Sequence, residues 1–323
     1  MTKKRVLVVG SNGLLGQKLA ELLIRGTDYQ IMLASQAAAP VRALASVEYT
    51  QLDITSKKDV KRVVFSFEPD VIINAAAMTN VDACEKEREL AWKINVGGVE
   101  HLVEASRKND ARIVHVSSDY VFDGKAGPYH EDSRPEPISY YGKSKLASEN
   151  VLRVSGIPYV IVRTIVLYGF APGVKLNFVL WLVRNLEKNS PVRIVDDQFS
   201  NPTLADDLAY GIVKAIDLNK TGLYNIAGRD ILSRLEFAKK VAKTFELDAG
   251  LIIPIRTSEL EQPAARPLRS GLITLKAEVE LGYIPSTADQ GLAVTKNQLV
   301  RTMRQLADSA PVPGTAVRHS KRI

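Results

Sequence analysis

The chain is poor in residues that cross-link or ligate. One cysteine, Cys84, in 323 residues excludes an internal disulfide and any multi-cysteine metal site, and fits a reducing compartment. A small, half-buried apolar role suits it. The histidines His101, His115, His130 and His319 are scattered without ligand spacing, so no metal is expected. The two tryptophans, Trp92 and Trp181, fall in helical patterns and read as core or lobe-packing residues. No uninterrupted apolar run approaches the ~18 residues of a membrane span. Met1-Thr2-Lys3-Lys4-Arg5 runs straight into a strand pattern without an apolar stretch or cleavage site. A soluble, cytoplasmic protein without membrane contact is expected. Lys and Arg exceed Asp and Glu, giving a net charge of +7, but the basic residues are interleaved with acidic ones and form no stripe. Nucleic acid is therefore not an expected partner, while the positive field suits a phosphorylated ligand.

What is present is a 46% hydrophobic chain, long enough for a large core. Apolar runs bounded by turn residues alternate with helix-period segments through the first half. The runs predict strands at Arg5 to Val9, Gln30 to Ala34, Val47 to Leu52, Val71 to Ala75, Arg112 to Val116 and Tyr159 to Val162. Helices are predicted at Gly13 to Arg25, Lys57 to Phe67, Glu89 to Lys108 and Gly142 to Val154. Parallel neighbours need crossover connections, which these helices supply, so the pattern is a Rossmann-type α/β fold with a doubly wound parallel sheet. After about Thr164 the rhythm changes, with helices near Asn177 to Glu187, Leu204 to Ile216 and Arg234 to Phe245 and a strand at Val192 to Val195. The expected organisation is a dinucleotide-binding domain over residues 1–165, a smaller α/β substrate lobe over 166–310 and a loose tail over 311–323.

Gly10-Ser11-Asn12-Gly13-Leu14-Leu15-Gly16 lies between the first strand and first helix, where a tight turn brings backbone amides and a helix N-terminus against a pyrophosphate. Its GxxGxxG spacing departs from the GxGxxG of many dehydrogenases. Asp53 with Ile54, and Ala76 with Ala77, end two strands at the same sheet edge, where small residues leave room for adenosine and a carboxylate can accept from an adenine amino group. A plain turn carboxylate is the other reading of Asp53. The second strand ends Leu33-Ala34-Ser35-Gln36, without the acid that commonly holds the ribose of NAD. That absence favours NADP, with NAD still admissible. Ser35 is placed to donate to a 2'-phosphate, and Arg42 to reach it.

Tyr141 and Lys145 are four residues apart at the start of a helix and share a face. An ammonium near a phenol favours the phenolate and is expected to lower the tyrosine toward working pH. Ser118 ends a strand of the same sheet, where its hydroxyl can hold a carbonyl oxygen near Tyr141 while a nicotinamide delivers hydride. Ser118, Tyr141 and Lys145 are the candidate catalytic residues, the last two also touching the cofactor.

Ser117-Ser118-Asp119-Tyr120-Val121-Phe122-Asp123-Gly124 with Tyr141-Gly142-Lys143-Ser144-Lys145 resembles the extended short-chain dehydrogenase/reductases, and within them the dTDP-4-dehydrorhamnose reductases. Asn74 to Asp82, Asp197 to Thr203, and Ala265-Arg266-Pro267 with Ser270 carry the similarity from Val6 to about Leu306. The resemblance implies reduction of a 4-keto-6-deoxy sugar nucleotide at C4, with Ser118 and Tyr141 on the carbonyl and Lys145 on Tyr141 and the nicotinamide ribose. It further implies Thr79 and Asp119 near the sugar, and Asn177 and Arg266 on the nucleotide diphosphate. A surface salt bridge is the other reading of Arg266.

One position departs. Where those reductases carry a sugar-packing tryptophan after the sixth strand, this chain has Val166. The regulatory beta subunit of methionine adenosyltransferase is similar in the same places and also lacks that tryptophan, so an NADP-binding partner subunit is an alternative. A sugar-nucleotide epimerase or 4,6-dehydratase is a third, which Asp119 nominally satisfies but the following Tyr120 to Gly124 does not. A homodimer is a compatible assembly.

Overall fold

A computed structural model describes residues 3–41 and 47–308. The expected tail at 311–323 and Arg42 lie outside the described residues. Six strands follow the apolar runs: β1 Arg5–Val9, β2 Gln30–Ser35, β3 Glu48–Gln51, β4 Val71–Asn74, β5 Arg112–Ser118 and β6 Tyr159–Thr164. A seventh, Gly222–Asn225, pairs with β6, so the sheet runs Gly222–Asn225, β6, β5, β4, β1, β2, β3. Every pairing in it is parallel. The order reverses at β1, which opens a crevice at the carboxyl ends of β1 and β4, where Val9 and Asn74 stand in register.

The helices are α1 Leu14–Gly26, α2 Lys57–Phe67, α3 Val81–Lys86, α4 Arg88–Trp92, α5 Gly98–Asn109, α6 Tyr140–Arg153, α7 Phe178–Leu186, α8 Ala205–Asp217 and α9 Arg234–Phe245, followed by Leu275–Leu281 and Ala288–Asp308. Strand residues alternate between two cores. Val6, Val8, Val114 and Val162 face Leu19, Leu23, Leu208 and Ile212 of α1 and α8, while Leu7, Ile72, Ile113 and Ile161 face Val60, Val64, Val99 and Leu102 of α2 and α5. Each residue thus covers one side of a sheet buried on both faces, which is why the strands read as unbroken apolar runs. The segment expected as one helix from Glu89 to Lys108 is split by a π turn, Lys93–Gly97, that carries Asn95 inward. No described helix is long and apolar enough to cross a membrane.

The second half is less separate than its sequence rhythm. Gly222–Asn225 and α8 belong to the large sheet and its cover. The smaller core lies between the parallel pair Val192–Val195 and Ile252–Ile255 and the helices α7 and α9. A strap, residues 264–273, runs back from this lobe over the turn that follows β5: Arg269 N donates to Gly124 O at 2.8 Å and Tyr129 N to Gly271 O at 2.7 Å.

Candidate active site

The turn from β1 into α1 is built to approach a ligand closely. Gly10 has φ +84°, and a Cβ there would stand 2.7 Å from Ala76 N; one on Gly16 would stand 2.3 Å from Gly10 O. Gly13 caps α1 without a side-chain bond, so the amides of Leu14, Leu15 and Gly16 have no intrahelical partner and converge on the crevice. Ser11 is 4% exposed, and its Oγ has no hydrogen-bond partner among the described residues. A cradle of free amides with an orphaned hydroxyl beside it fits a dinucleotide pyrophosphate. Leu15 and Ile54 anchor this edge by packing into the two opposite cores.

Several residues expected to touch the cofactor are already engaged. Asn12 Nδ2 donates to Ala39 O (3.0 Å) and its Oδ1 accepts from Val41 N (3.1 Å), pinning the loop after β2. Tyr49 places its proton on Ala37 O (2.6 Å), so Ser35 Oγ donates to Tyr49 (2.7 Å). Asp53 Oδ1 accepts from Thr55 N (2.9 Å) and Thr55 Oγ1 (2.8 Å), the turn-carboxylate role. Ala77 follows Ala76 in the loop after β4, where Ala76 N donates to Asn74 Oδ1 (3.2 Å).

Ser118 ends β5 in register with Thr164 of β6. Ser139 caps α6 by accepting from Gly142 N at 3.2 Å, and the helix start brings Tyr141 beside Ser118. Tyr141 is 8% exposed, and Tyr120 packs edge-on against its ring at 5.4 Å. Cys84, expected half-buried, is fully buried in this cluster. Burial pushes its thiol up to about 11.

The expected lowering of Tyr141 by Lys145 is corrected. Burial raises the phenol above its ordinary value; the neighbouring Ser118 hydroxyl opposes this, and the Asp119 charge adds to it. Lys145 instead donates from Nζ to Val116 O at 2.7 Å and lies 3.4 Å from His115 Nε2. Residue spacing showed the shared helix face but not the carbonyl that claims the ammonium. Burial lowers Lys145 to about 8, against the opposing Glu149 charge.

Sequence reasoning missed the network behind this lysine. Asn74 Oδ1 accepts from Ala76 N, so its Nδ2 donates to His115 Nδ1 at 3.2 Å. That assigns the imidazole proton to Nε2, which donates to Ser148 Oγ (2.9 Å); Ser148 in turn donates to Lys145 O (2.7 Å). Burial, aided by the Lys145 charge, holds His115 well below its ordinary value, and therefore neutral. One helical turn on, fully buried Glu149 accepts from Arg163 (2.9 and 2.7 Å) and Ser117 (2.6 Å).

On the other side of Tyr120 a cavity of about 300 Å³ is lined by Phe178, Trp181, Arg193, Arg234 and Arg266. Trp181 is a wall of this cavity rather than core, and Trp92 is 43% exposed. Arg266 reaches the cavity, but its fork is held by Asp82 (2.9 and 2.7 Å) and Ala264 O (2.6 Å), the salt-bridge reading. Half-buried Arg234, which no sequence signal singled out, lies over the Phe178 ring at 4.8 Å and has no ion pair or side-chain hydrogen bond among the described residues. Asn177 caps α7, accepting from Leu180 N (3.3 Å) and donating to Gly169 O (2.7 Å). Thr79 is exposed in the loop after β4. Val166 has φ +41°, a left-handed backbone rare for a β-branched residue, and packs on Phe122 and Ile165. Among the described residues no His, Cys, Asp and Glu cluster could hold a metal.

The RmlD substrate binding domain family matches residues 4–301. The chain is 33% identical over 300 residues to the dTDP-4-dehydrorhamnose reductase of Aggregatibacter actinomycetemcomitans, covering 89% of this chain and 97% of that one. It is also 33% identical over 286 residues to the spore coat polysaccharide biosynthesis protein SpsK of Bacillus subtilis, covering 88% and 93%. The crystal structure of dTDP-4-dehydrorhamnose reductase from Bacillus anthracis in complex with NADP superposes with a TM-score of 0.83 at 33% identity, covering 92% and 100%.

Proposed function

The chain belongs to the RmlD substrate binding domain family, and on that premise we propose that it reduces the C4 carbonyl of a dTDP-linked 4-keto-6-deoxyhexose with NADPH. The observation that carries this reading is the Ser118–Tyr141 contact at the carboxyl edge of a parallel sheet, beside a glycine turn with free amides. The missing acid at Leu33-Ala34-Ser35-Gln36 supports NADPH over NADH, as does the NADP complex of the Bacillus anthracis relative.

A reduced nicotinamide, when bound, supplies the hydride that forms the new C4–H bond. Leu14, Leu15 and Gly16 would hold its pyrophosphate through their amides, with Ser11 beside them. Tyr141 donates its proton to the carbonyl oxygen as the C=O π bond breaks, leaving C–OH and a phenolate that solvent reprotonates. Its raised value keeps the phenol protonated at neutral pH, as an acid must be before transfer. Lys145 carries its charge below about pH 8 and shares the helix face of Tyr141, where it would hold the nicotinamide ribose while Val116 O fixes its position. On the substrate side, Arg234 offers an unspent guanidinium to the diphosphate, and Phe178 and Trp181 offer apolar walls to the base.

Reduced-nicotinamide absorbance followed against a panel of 4-keto-6-deoxyhexose nucleotides tests this. Turnover with the dTDP-linked substrate, lost by ~10²–10⁴-fold in Tyr141→Phe, is the expected result. A chain that binds NADPH but turns over none of the panel overturns it.

A further inference from the structure

A serine hydroxyl has one proton and two lone pairs, and every one of those on Ser118 has a neighbour. Its Oγ accepts from Tyr120 N at 3.2 Å, donates to Asp119 Oδ1 at 3.0 Å and faces the Tyr141 hydroxyl. The other oxygen of Asp119 accepts from Ser270 Oγ at 2.6 Å. Asp119 and Ser270 are each 3% exposed. Ser270 comes from the strap of the second lobe, which Ser270 N fixes by donating to Phe199 O at 3.1 Å. The carboxyl group that resemblance puts near the sugar is thus fully taken up by two serines, one from each half of the chain.

An ionised carboxylate is the strongest acceptor within reach, so it keeps the Ser118 proton. With that arrangement the Ser118 proton does not point at a substrate carbonyl. A proton on Oδ1 reverses the bond: Asp119 becomes the donor, and the Ser118 proton is free to turn outward.

We propose that Asp119, anchored by Ser270, is a positioning residue that sets the direction of the Ser118 hydroxyl, holding it from the substrate carbonyl when ionised and releasing it when protonated. The switch is a property of the chain; its effect on turnover rests on the reductase reading. Around the carboxyl group stand Arg234 of α9, whose charge favours the ionised form, with Tyr120 of its own turn and Tyr141 of α6. Arg266 and Asp82 act on Tyr120, and Cys84 on Tyr141. Burial outweighs all of these and pushes Asp119 up to about 6, against the pull of Ser270 and Ser118, so the two states exchange close to neutrality.

Carbon NMR of the chain labelled at aspartate carboxyls, with Asp119→Asn identifying the resonance, reads the titration without substrate or cofactor. The expected midpoint is near 6, and Ser118→Ala and Ser270→Ala each move it up by about one unit, because each removes a donor to the charged form. A midpoint near the ordinary ~4, or one unmoved by Ser118→Ala, overturns the proposal. In turnover, kcat is expected to rise as pH falls through the same midpoint and to follow its shift in Ser270→Ala. The limb disappears in Asp119→Asn, whose amide donates to Ser118 permanently. An unchanged limb in Asp119→Asn also overturns the proposal. If the parent chain turns over no 4-keto sugar nucleotide, the reductase reading fails, while the carboxyl titration still decides the switch.

Discussion

Gly142→Ala tests whether the contact between Ser118 and Tyr141 carries the chemistry. Gly142 lies in the first turn of α6, next to Tyr141, and a Cβ there would stand 2.1 Å from Tyr120 O and 3.0 Å from Tyr120 C and Pro137 Cβ. Relief takes about 1 Å of movement, since nonbonded atoms settle more than 3 Å apart. Both sides of the contact are braced. The turn after Ser118 is held by Asp119 through Ser118 and Ser270 and by Phe122 N on Asp119 O (2.9 Å). The helix is held through Ser144 by Asn95 (3.0 Å) and through Glu149 by Arg163. The movement therefore opens the gap between turn and helix, where Ser118 and Tyr141 meet.

Overpacking of this kind costs about 1–3 kcal/mol, and replacing a helical glycine by alanine returns about 1 kcal/mol. The net loss of stability is at most about 2 kcal/mol, a fall of a few degrees in a chain of this size. A reacting group displaced by about 1 Å can lose ~10²-fold in rate. Steady-state kinetics, a thermal melt and an NADPH titration on one preparation should show kcat down about a hundredfold, melting only slightly lowered and cofactor binding kept. Turnover within about threefold of the parent chain, against a 10²-fold expectation, would refute the reasoning.

Glu149→Gln leaves fully buried Arg163 without its counter-charge and is expected to lose about 3–5 kcal/mol in denaturant unfolding; a loss under about 1 kcal/mol would mean the pair is expendable. It also removes the charge that raises Lys145, so the basic limb of the rate profile should move to lower pH. Lys145 is 1% exposed, and burial depresses it from its ordinary 10.5 to about 8. A depressed value means its contribution to stability is full above pH 10.5 and lost as pH falls through 8, a swing of about 3 kcal/mol that Lys145→Met should abolish. Unfolding curves across that window that coincide in shape for parent and variant would contradict it. Val166→Gly relieves about 1–3 kcal/mol of left-handed backbone strain while losing a half-buried valine, so the two should nearly cancel. A drop above about 2 kcal/mol would show that φ +41° stores no strain.

What was legible in the chain is what short-range geometry determines. The strands β1, β2, β4, β5 and β6 declared themselves because they are buried on both faces, and the glycine turn because backbone approach needs glycine at Gly10 and Gly16 whatever else the chain does. Tyr141 and Lys145 share a face because four residues make one helical turn. Gly222–Asn225 did not declare itself: it is four residues long, and it becomes a strand by pairing with β6. The choice of partner by each charged group was hidden for the same reason. Lys145 is claimed by a carbonyl on β5 and Asp119 by a serine 151 residues away.

The two arginines bring out the consequence. Resemblance singled out Arg266, yet Asp82, 184 residues away, grips both of its terminal nitrogens, so a diphosphate meeting Arg266 must compete with a bidentate carboxylate. Arg234 has no such competitor among the described residues and stands against Phe178 beside Tyr120. Burial works against its charge, with only Tyr120 and Asp119 favouring it and Arg266 opposing. A half-buried cation without a counter-ion raises the free energy of the folded chain, and an anionic group in the cavity would remove that penalty as it binds. The arginine that sequence could not find is thus the one whose surroundings favour a diphosphate, and on the proposed reading Arg266 joins it only once Asp82 lets go.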